Sequence, residues 1–376
     1  MKRVVHLASA HHPFDARVFH KECCTLADAG YDTHFVTPHD QDEMLRGVRV
    51  HGVRKPTSRW ERVSQTTRKV YRKARALNGD LYHLHDVDLL PFGALLARSG
   101  VPVIYDSHED LPASIRDRDW IPAPLRSVVS RLISVIESAF AYRLSAIIAA
   151  TPTIRKRFAD APVPVATVQN FPVLDTIDEV AETIPYAERP DEIAYVGTIT
   201  RARGIFQMVD AMAAVPKRAE SAEPPQLLMA GTFASAALKR DMRQQAGWER
   251  VQFRGRIPQA EVFHLLRGVR AGLVVLQPVP NYVASQPLKL FEYMACGIPV
   301  IASDFPLWRD IIGSVGCGLL VDPTDPRAIA DAIEWVLAHP EEAEAMGQRG
   351  RRAVESTYRW ASEAQPLLAL YRRLLS

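Results

Sequence analysis

At 376 residues the chain is too long for one ordinary hydrophobic core, so two domains are expected. A net charge of +3, with 24% charged and 47% hydrophobic residues, excludes a disordered polyelectrolyte and gives no overall reason to bind nucleic acid. No apolar run reaches the length of a membrane span, and Cys23, Cys24, Cys296 and Cys317 form neither a CxxC pair nor a disulfide ladder, so a cytoplasmic location is expected.

The opening MKRVVHLASA is basic, then apolar too briefly for a signal sequence, and reads as a first strand over Val4 to Leu7. A helix over Val18 to Ala29 precedes Gly30, and strands follow at Thr33 to Val36 and Val48 to Val53. From Arg54 to Arg75 there are nine Lys or Arg against Glu61 alone. Such a run is either a solvated helix face or a contact for anionic lipid or an acidic acceptor; with only Trp60 and Tyr71 interleaved, nucleic acid is disfavoured. Next come strands at Leu81 to His85, Val103 to Tyr105 and Ala146 to Ala149. Between them lie a helix over Leu89 to Arg98 and an amphipathic helix after Ser127. Asn170, Phe171 and Pro172 open a linker that the acidic, strand-poor stretch from Asp175 to Asp191 continues. A second series of strands then runs Ile193 to Val196, Gln226 to Ala230, Val251 to Arg254, Ala271 to Leu276, Val300 to Ala302 and Gly318 to Val321. A last helix is expected around Glu363 to Leu375. Alternating strands and helices imply an α/β fold of two Rossmann-like halves, with the carboxyl ends of both parallel sheets facing a cleft.

The most specific stretch is Asn281 to Asp304. Ser285 as N-cap and Pro287 in the first turn start a short helix that Gly297 stops. Free N–H groups at that start, beside Lys289, suit a phosphate; Glu292 shares the Lys289 face and suits sugar hydroxyls. The plainer reading is an ordinary helix with an internal Lys289–Glu292 pair. The turn from Gly197 to Gly204 leaves a strand and enters a helix carrying Arg201 and Arg203, a second place for a diphosphate. His83 and His85 point to one face of their strand, and with Asp86 and Asp88 they invite a zinc reading. No third clear ligand accompanies them, so hydrogen bonding from His85 and Asp86 is favoured. Asp15, Arg17, His20 and Lys21 sit where the first strand hands over to the first helix; Asp15 either binds ligand or caps that helix. His6, His34 and His264 read as structural.

Six blocks carry a family resemblance: PFDARVFHKEC (13–24), LYHLHDVDLLP (81–91), IYDSHED (104–110), YVGTITRARGI (195–205), the Lys289–Ala295 core KLFEYMA, and SDFPLWRDIIG (303–313). In this order they resemble the retaining GT-B glycosyltransferases of family four, and most of all its bacterial KLFEYMA subgroup. The resemblance implies an acceptor domain over 1–172, a donor domain over 190–355, and a C-terminal helix over 356–376 that returns to the first domain. It implies a sugar moved from a nucleoside-diphosphate sugar such as UDP-sugar to a hydroxyl acceptor, in polysaccharide or glycoconjugate biosynthesis. Neither metal nor other cofactor is implied. The acceptor is a carbohydrate, a lipid-linked molecule or a small molecule; the enzyme would be cytoplasmic, with peripheral contact to an anionic membrane and none to nucleic acid. His108, Arg203 and Lys289 are the implied catalytic residues. Gly197, Thr198, Arg203, Gly204, Arg256, Ile257, Ser285, Leu288, Lys289 and Glu292 are the implied donor contacts. Asp15, Arg17, His85, Asp86 and Glu109 are those for the acceptor, and Asp110 is a further candidate. Two positions depart from the common pattern: Thr198 stands where a phosphate cation is usual, with Arg201 as a possible substitute, and Ala284 where a sugar-binding Glu is usual. A non-catalytic sugar-nucleotide binder and a transferase of secondary metabolites therefore stay open.

Overall fold

The structure is a computed structural model that describes residues 1–116, 121–179, 184–218 and 223–376. The chain divides into two compact units, Met1–Asn170 with Trp360–Ser376, and Phe171–Arg359. Each is a sheet covered by helices.

The first unit holds eight strands: β1 (Arg3–Leu7), β2 (Asp32–Pro38), β3 (Glu43–Leu45), β4 (Val48–Val53), β5 (Leu81–Leu84), β6 (Val103–Ser107), β7 (Ala146–Ala149) and β8 (Val165–Thr167). Their spatial order is β3-β4-β2-β1-β5-β6-β7-β8. All neighbours are parallel except β3 with β4. The central strands are buried on both faces, as parallel strands between two helix layers must be. β3 and β8 were not expected: each has three residues, too few to show a period of two.

After β1 the carboxylate of Asp15 accepts the N–H groups of Arg17 and Val18 at 2.8 and 2.9 Å. This starts a wide helical turn, Val18–Cys23, that continues as α1 (Cys24–Asp28). Three crossovers, β4 to β5, β5 to β6 and β6 to β7, run the same way along the sheet. Right-handed connection therefore puts their helices on one face: α2 (Thr67–Ala76, entered through Arg59–Glu61 and Arg62–Thr66), α3 (Leu90–Ala97) and α4 (Ala123–Ala141). α3 packs against both α2 and α4. The C-terminal helix, Trp360–Leu375, belongs to this unit: the Trp360 indole donates to Thr25 Oγ1 at 2.8 Å, and Tyr371 is fully buried.

The second unit carries β9 (Glu192–Val196), β10 (Gln226–Ala230), β11 (Val251–Gly255), β12 (Ala271–Val274), β13 (Val300–Ser303) and β14 (Gly318–Val321). The sheet is wholly parallel, in the order β11-β10-β9-β12-β13-β14. Its helices include α5 (Ile205–Ala214) after β9 and α6 (Leu288–Ala295) before β13. The stretch expected as a linker is instead part of this unit's core. Phe171 is buried with its ring against Phe291 and Tyr358, and Ile177 and Tyr186 are buried as well. Residues 180–183 of that stretch lie outside the described residues.

The start of α6 also differs from expectation. Pro287, not Ser285, precedes its first residue, and Ser285 Oγ turns away to donate to the Tyr282 carbonyl at 2.9 Å. The residue before a proline is pushed toward extended backbone, so the helix cannot begin upstream of Gln286.

Candidate functional site

In the second unit the site grows from the end of β9. Gly197 has φ +129°, and a Cβ placed on it would lie 3.2 Å from Lys289 Nζ and 3.4 Å from an Arg203 guanidinium nitrogen. The missing side chain thus leaves a niche on which two cations converge. Gly204, with φ +73°, lets the chain turn from the Arg201–Arg203 helical turn into α5; a Cβ there would lie 1.9 Å from the Val275 carbonyl oxygen, so no other residue fits. The turn is tied by Thr200, whose hydroxyl accepts the Arg203 N–H at 3.2 Å.

Lys289 enters this niche from the first turn of α6. It is only 8% exposed, and its Nζ is buried with no hydrogen-bond partner. The ammonium sits 3.9 Å from the centroid of the Tyr195 ring. Burial, and then the neighbouring Arg203, push its pKa well below the usual lysine range, with Glu292 only partly opposing them. Burial would lower Arg203 too, but Tyr195 and Tyr282 beside it outweigh that and keep it charged. A buried ammonium beside a guanidinium is a high-energy arrangement that an anion relieves. Gln286 Oε1 is likewise buried without a partner, one turn before Lys289. Sequence reasoning missed Gln286, Tyr195 and Tyr282; spacing of three from Lys289 was the one signal available for the first.

Other expected donor residues are spread around this point. Thr198 follows Gly197, and its carbonyl accepts the Tyr195 hydroxyl at 2.6 Å. Leu288 opens α6, and Glu292 is half-buried on it. Arg256 and Ile257 follow β11, two strands away from β9. Arg201 does not join the niche: its guanidinium pairs with Asp241 at 2.7 Å and lies over the Phe206 ring. It cannot replace the cation that Thr198 lacks while it is held there.

The first unit builds a different cluster. His6 on β1 is the register partner of His83 on β5, and His85 lies two residues on, so a period of two sets all three imidazoles on one face. All three are buried, as are Glu22, Arg17 and Asp106. Arg17 Nη2 contacts both Asp106 oxygens at 3.1 and 3.0 Å, Arg17 Nη1 donates to the Val168 carbonyl at 2.8 Å, and Arg17 Nε is 2.9 Å from Glu22. Burial would raise Asp106, but Arg17 and His108 overcome it and hold the carboxyl well below the usual range. Burial, with Asp106 next to it, pushes the Glu22 carboxyl the other way, well above the usual carboxylate range.

With Asp106 ionised, His108 Nε2 must carry a proton to face Asp106 Oδ2 at 3.2 Å. The same nitrogen is 3.2 Å from His85 Nδ1, which therefore accepts. His85 Nε2 then donates to His6 Nδ1 at 2.8 Å. His6 Nε2 donates to the Tyr371 hydroxyl at 3.2 Å, and Tyr371 donates to His83 Nδ1 at 2.7 Å. One polarity thus runs through the chain from His108 to His83, whose Nε2 is left buried with no hydrogen-bond partner. Burial first, and neighbouring histidines after it, lower His6 and His85; burial takes His83 down to about 3.

His6, Glu22, His83 and His85 bring one ligand atom each within 4.8 Å of the others, and His85, Asp106 and His108 form a second such group. The donor types suit zinc, but His6 and His85 have both nitrogens engaged in the chain, so a metal would have to break it. The set read from sequence does not converge. Asp86 instead accepts the N–H groups of Ser9 and Ala10 at 2.6 and 3.1 Å and faces His11 at 3.2 Å, while Asp88 faces Ser9 Oγ and Arg62. Burial would raise Asp86, but His11 and those N–H groups bring it down to about 2. His11, which sequence reading passed over, also sets its ring 4.7 Å from that of His108, tilted by 60°.

Asp15 is a helix cap, and Arg17 is 4% exposed with its guanidinium committed inside the unit. His85 is 3% exposed and contacts His108, while Glu109 is exposed and Asp110 caps the turn at Ala113. Of the basic run, Lys55, Arg62 and Lys73 are paired with Asp40, Asp88 and Asp42. Among the described residues no helix is long and apolar enough to cross a membrane.

Two family models match the chain: Glycosyltransferase Family 4 over residues 16–172, and Glycosyl transferases group 1 over residues 177–353. A D-inositol 3-phosphate glycosyltransferase of Corynebacterium urealyticum is 29% identical over 188 residues, 48% of this chain and 43% of that protein. A glycogen synthase of Mycobacterium tuberculosis is 24% identical over 304 residues, 79% of this chain and 69% of that protein. The chain thus spans less than half the length of the D-inositol 3-phosphate glycosyltransferases it matches. Among solved structures, sucrose-phosphate synthase from Thermosynechococcus elongatus superposes with TM-score 0.78 at 21% identity, covering 100% of this chain and 99% of that one. HepE of Anabaena, in complex with UDP, gives 0.72 at 14% identity, covering 99% and 100%. These similarities extend to both halves in sequence order: the first half matches the family 4 glycosyltransferase model, the second half matches the group 1 model, and the fold is that of the GT-B glycosyltransferases.

Proposed function

We propose that the protein transfers a sugar from a nucleoside-diphosphate sugar to a hydroxyl acceptor, with retention at the anomeric carbon and without a metal ion or other cofactor. The observation that carries this reading is the buried, unpartnered ammonium of Lys289 beside Arg203 at the side-chain-free face of Gly197. A diphosphate supplies the missing negative charge. As the bond from the anomeric carbon to the diphosphate oxygen breaks, its electron pair stays on the phosphate, where Lys289 and Arg203 stabilise it. The acceptor oxygen bonds to the same face of that carbon, and its proton passes to a departing phosphate oxygen. His108 orients the acceptor hydroxyl, and the buried chain behind it fixes its tautomer. Glu292 takes the ribose. UDP is the favoured nucleotide, because HepE was solved with it and two further structural neighbours carry UDP in their names, one with UDP-2-fluoro glucose bound and one described as UDP-forming. The product belongs to polysaccharide or glycoconjugate assembly in the cytoplasm, with the basic 54–75 segment at an anionic membrane.

The test is a thermal-shift screen with UDP-, GDP-, TDP- and ADP-sugars, followed by transfer assays on the sugar that raises the melting point. Arg203→Ala and Lys289→Ala are each expected to lower turnover at least ~100-fold, the scale of losing one transition-state charge contact, with the fold intact. Unchanged transfer in both variants removes the phosphate assignment; binding without any transfer or hydrolysis leaves a sugar-nucleotide binding protein.

A further inference from the structure

We propose that the outward face of α4 docks the protein onto an anionic membrane surface. This goes beyond the transfer reaction, and it places the lipid contact on a helix that the basic 54–75 segment does not include.

α4 is built with its polarity reversed. The side facing the unit buries Ser130 and Glu137, whose polar atoms are met by the Pro112 carbonyl and by Tyr105 and Arg157. The side facing away carries Leu125, Val128, Leu132, Val135 and Ile136, exposed by 52, 64, 57, 66 and 46%. At about 100° per residue these positions fall within an arc of about 100°, opposite the buried side. An outward apolar stripe of this kind does nothing for the core, and a contiguous exposed patch marks a contact surface.

Charge selects the occupant. The exposed charged side chain on α4 is Arg131, and Arg143 follows its end. Arg143 and Arg98 flank a groove of about 590 Å³ between α3 and α4, lined also by Pro91, Ala94, Leu95 and Phe140. On the same helix layer, Arg68, Lys69, Arg72 and Arg75 of α2 are exposed with no ion pair among the described residues, and Trp60 is 79% exposed just before them. α2, α3 and α4 present no exposed Asp or Glu. Apolar side chains rimmed by arginine and lysine match the headgroup region of an anionic bilayer. A second copy fits less well: a stripe about 17 Å long and about 10 Å wide covers about 170 Å², well below the roughly 800 Å² per partner of a stable interface.

The test uses the full chain in liposome flotation, with pure phosphatidylcholine vesicles and with vesicles containing equal phosphatidylglycerol. The protein is expected to float with the anionic vesicles and to stay behind with the neutral ones. Leu132→Ser/Val135→Ser/Ile136→Ser should lower the bound fraction at least ~5-fold while the melting shift given by UDP stays as in the parent. Arg68→Ser/Lys69→Ser/Arg72→Ser should weaken binding and flatten its salt dependence. Flotation of the apolar triple variant at parental levels overturns the proposal, as does failure of the parent to bind anionic vesicles. A parental dimer in sedimentation that the triple variant breaks assigns the stripe to a second copy instead. The UDP shift reports on the donor site alone, so its loss or retention separates failure of the transferase reading from failure of the docking reading.

Discussion

Replacing Lys289 with methionine should stabilise the ligand-free protein and abolish its response to nucleotide. The ammonium is buried with no hydrogen-bond partner, and burial and Arg203 both oppose its charge. An unpaired buried charge costs several kcal/mol, of which the contact with the Tyr195 ring returns about 2 kcal/mol. Methionine has similar length, no charge, and a sulfur that packs well on an aromatic ring. A net gain of about 1–3 kcal/mol follows, or roughly 2–12 °C in Tm for a domain of this size. The pH dependence has a definite sign. Lys289 has a depressed pKa in the fold, so the unfolded chain binds more protons and parental stability rises with pH until the unfolded lysine titrates. The advantage of the methionine variant therefore shrinks as pH rises. In the presence of UDP the order reverses, because the parent gains charge-assisted hydrogen bonds worth about 1.5–3 kcal/mol each. Thermal melts of both proteins across pH, with and without UDP, measure all of this. A methionine variant that melts below the parent and keeps the full UDP shift would refute the reasoning.

Nucleotide binding should take up a proton, since an anion raises the depressed Lys289 pKa; calorimetry in buffers of different ionisation enthalpy reads it, and the affinity should fall as pH rises. Gly197→Val fills the niche and forces a β-branched residue to φ +129°, so UDP binding should weaken by at least ~10-fold, with a stability loss of about 1–3 kcal/mol in urea melts. Tyr371→Phe removes the hydroxyl between His83 and His6, leaving buried nitrogens unmet; a loss of about 2–4 kcal/mol is expected, together with a changed His108 tautomer ratio in ¹⁵N spectra. Acid should destabilise the first unit: His6, His83 and His85 are depressed below 6.5, so their contribution is present above pH 6.5 and lost as pH falls. Glu22, whose carboxyl is raised, works in the opposite sense, and the three imidazoles are expected to dominate as pH falls from about 6 to about 5. A urea midpoint that is flat or rising over that interval would contradict the neutral-ring assignment.

Apart from the short strands β3 and β8, the order of strands, the fold class and the two glycine turns were legible in the sequence. They rest on local periodicity and on backbone geometry that only certain residues can adopt, as at Gly204. The convergence of Lys289 with Arg203 was suggested by motif, but its energetic meaning lay in burial, which no spacing reports. Tertiary structure alone decided that Arg17 is spent on Asp106, that Arg201 turns to Asp241, and that Tyr371, far along the chain, completes a chain of imidazoles begun at His6. It also decided that the apolar residues of α4 face outward, because an amphipathic pattern fixes which side chains share a stripe and leaves open which stripe meets the core. Local sequence sets what each segment can be; the pairing of distant polar groups, and hence their charge and protonation, is set only when burial removes water from between them.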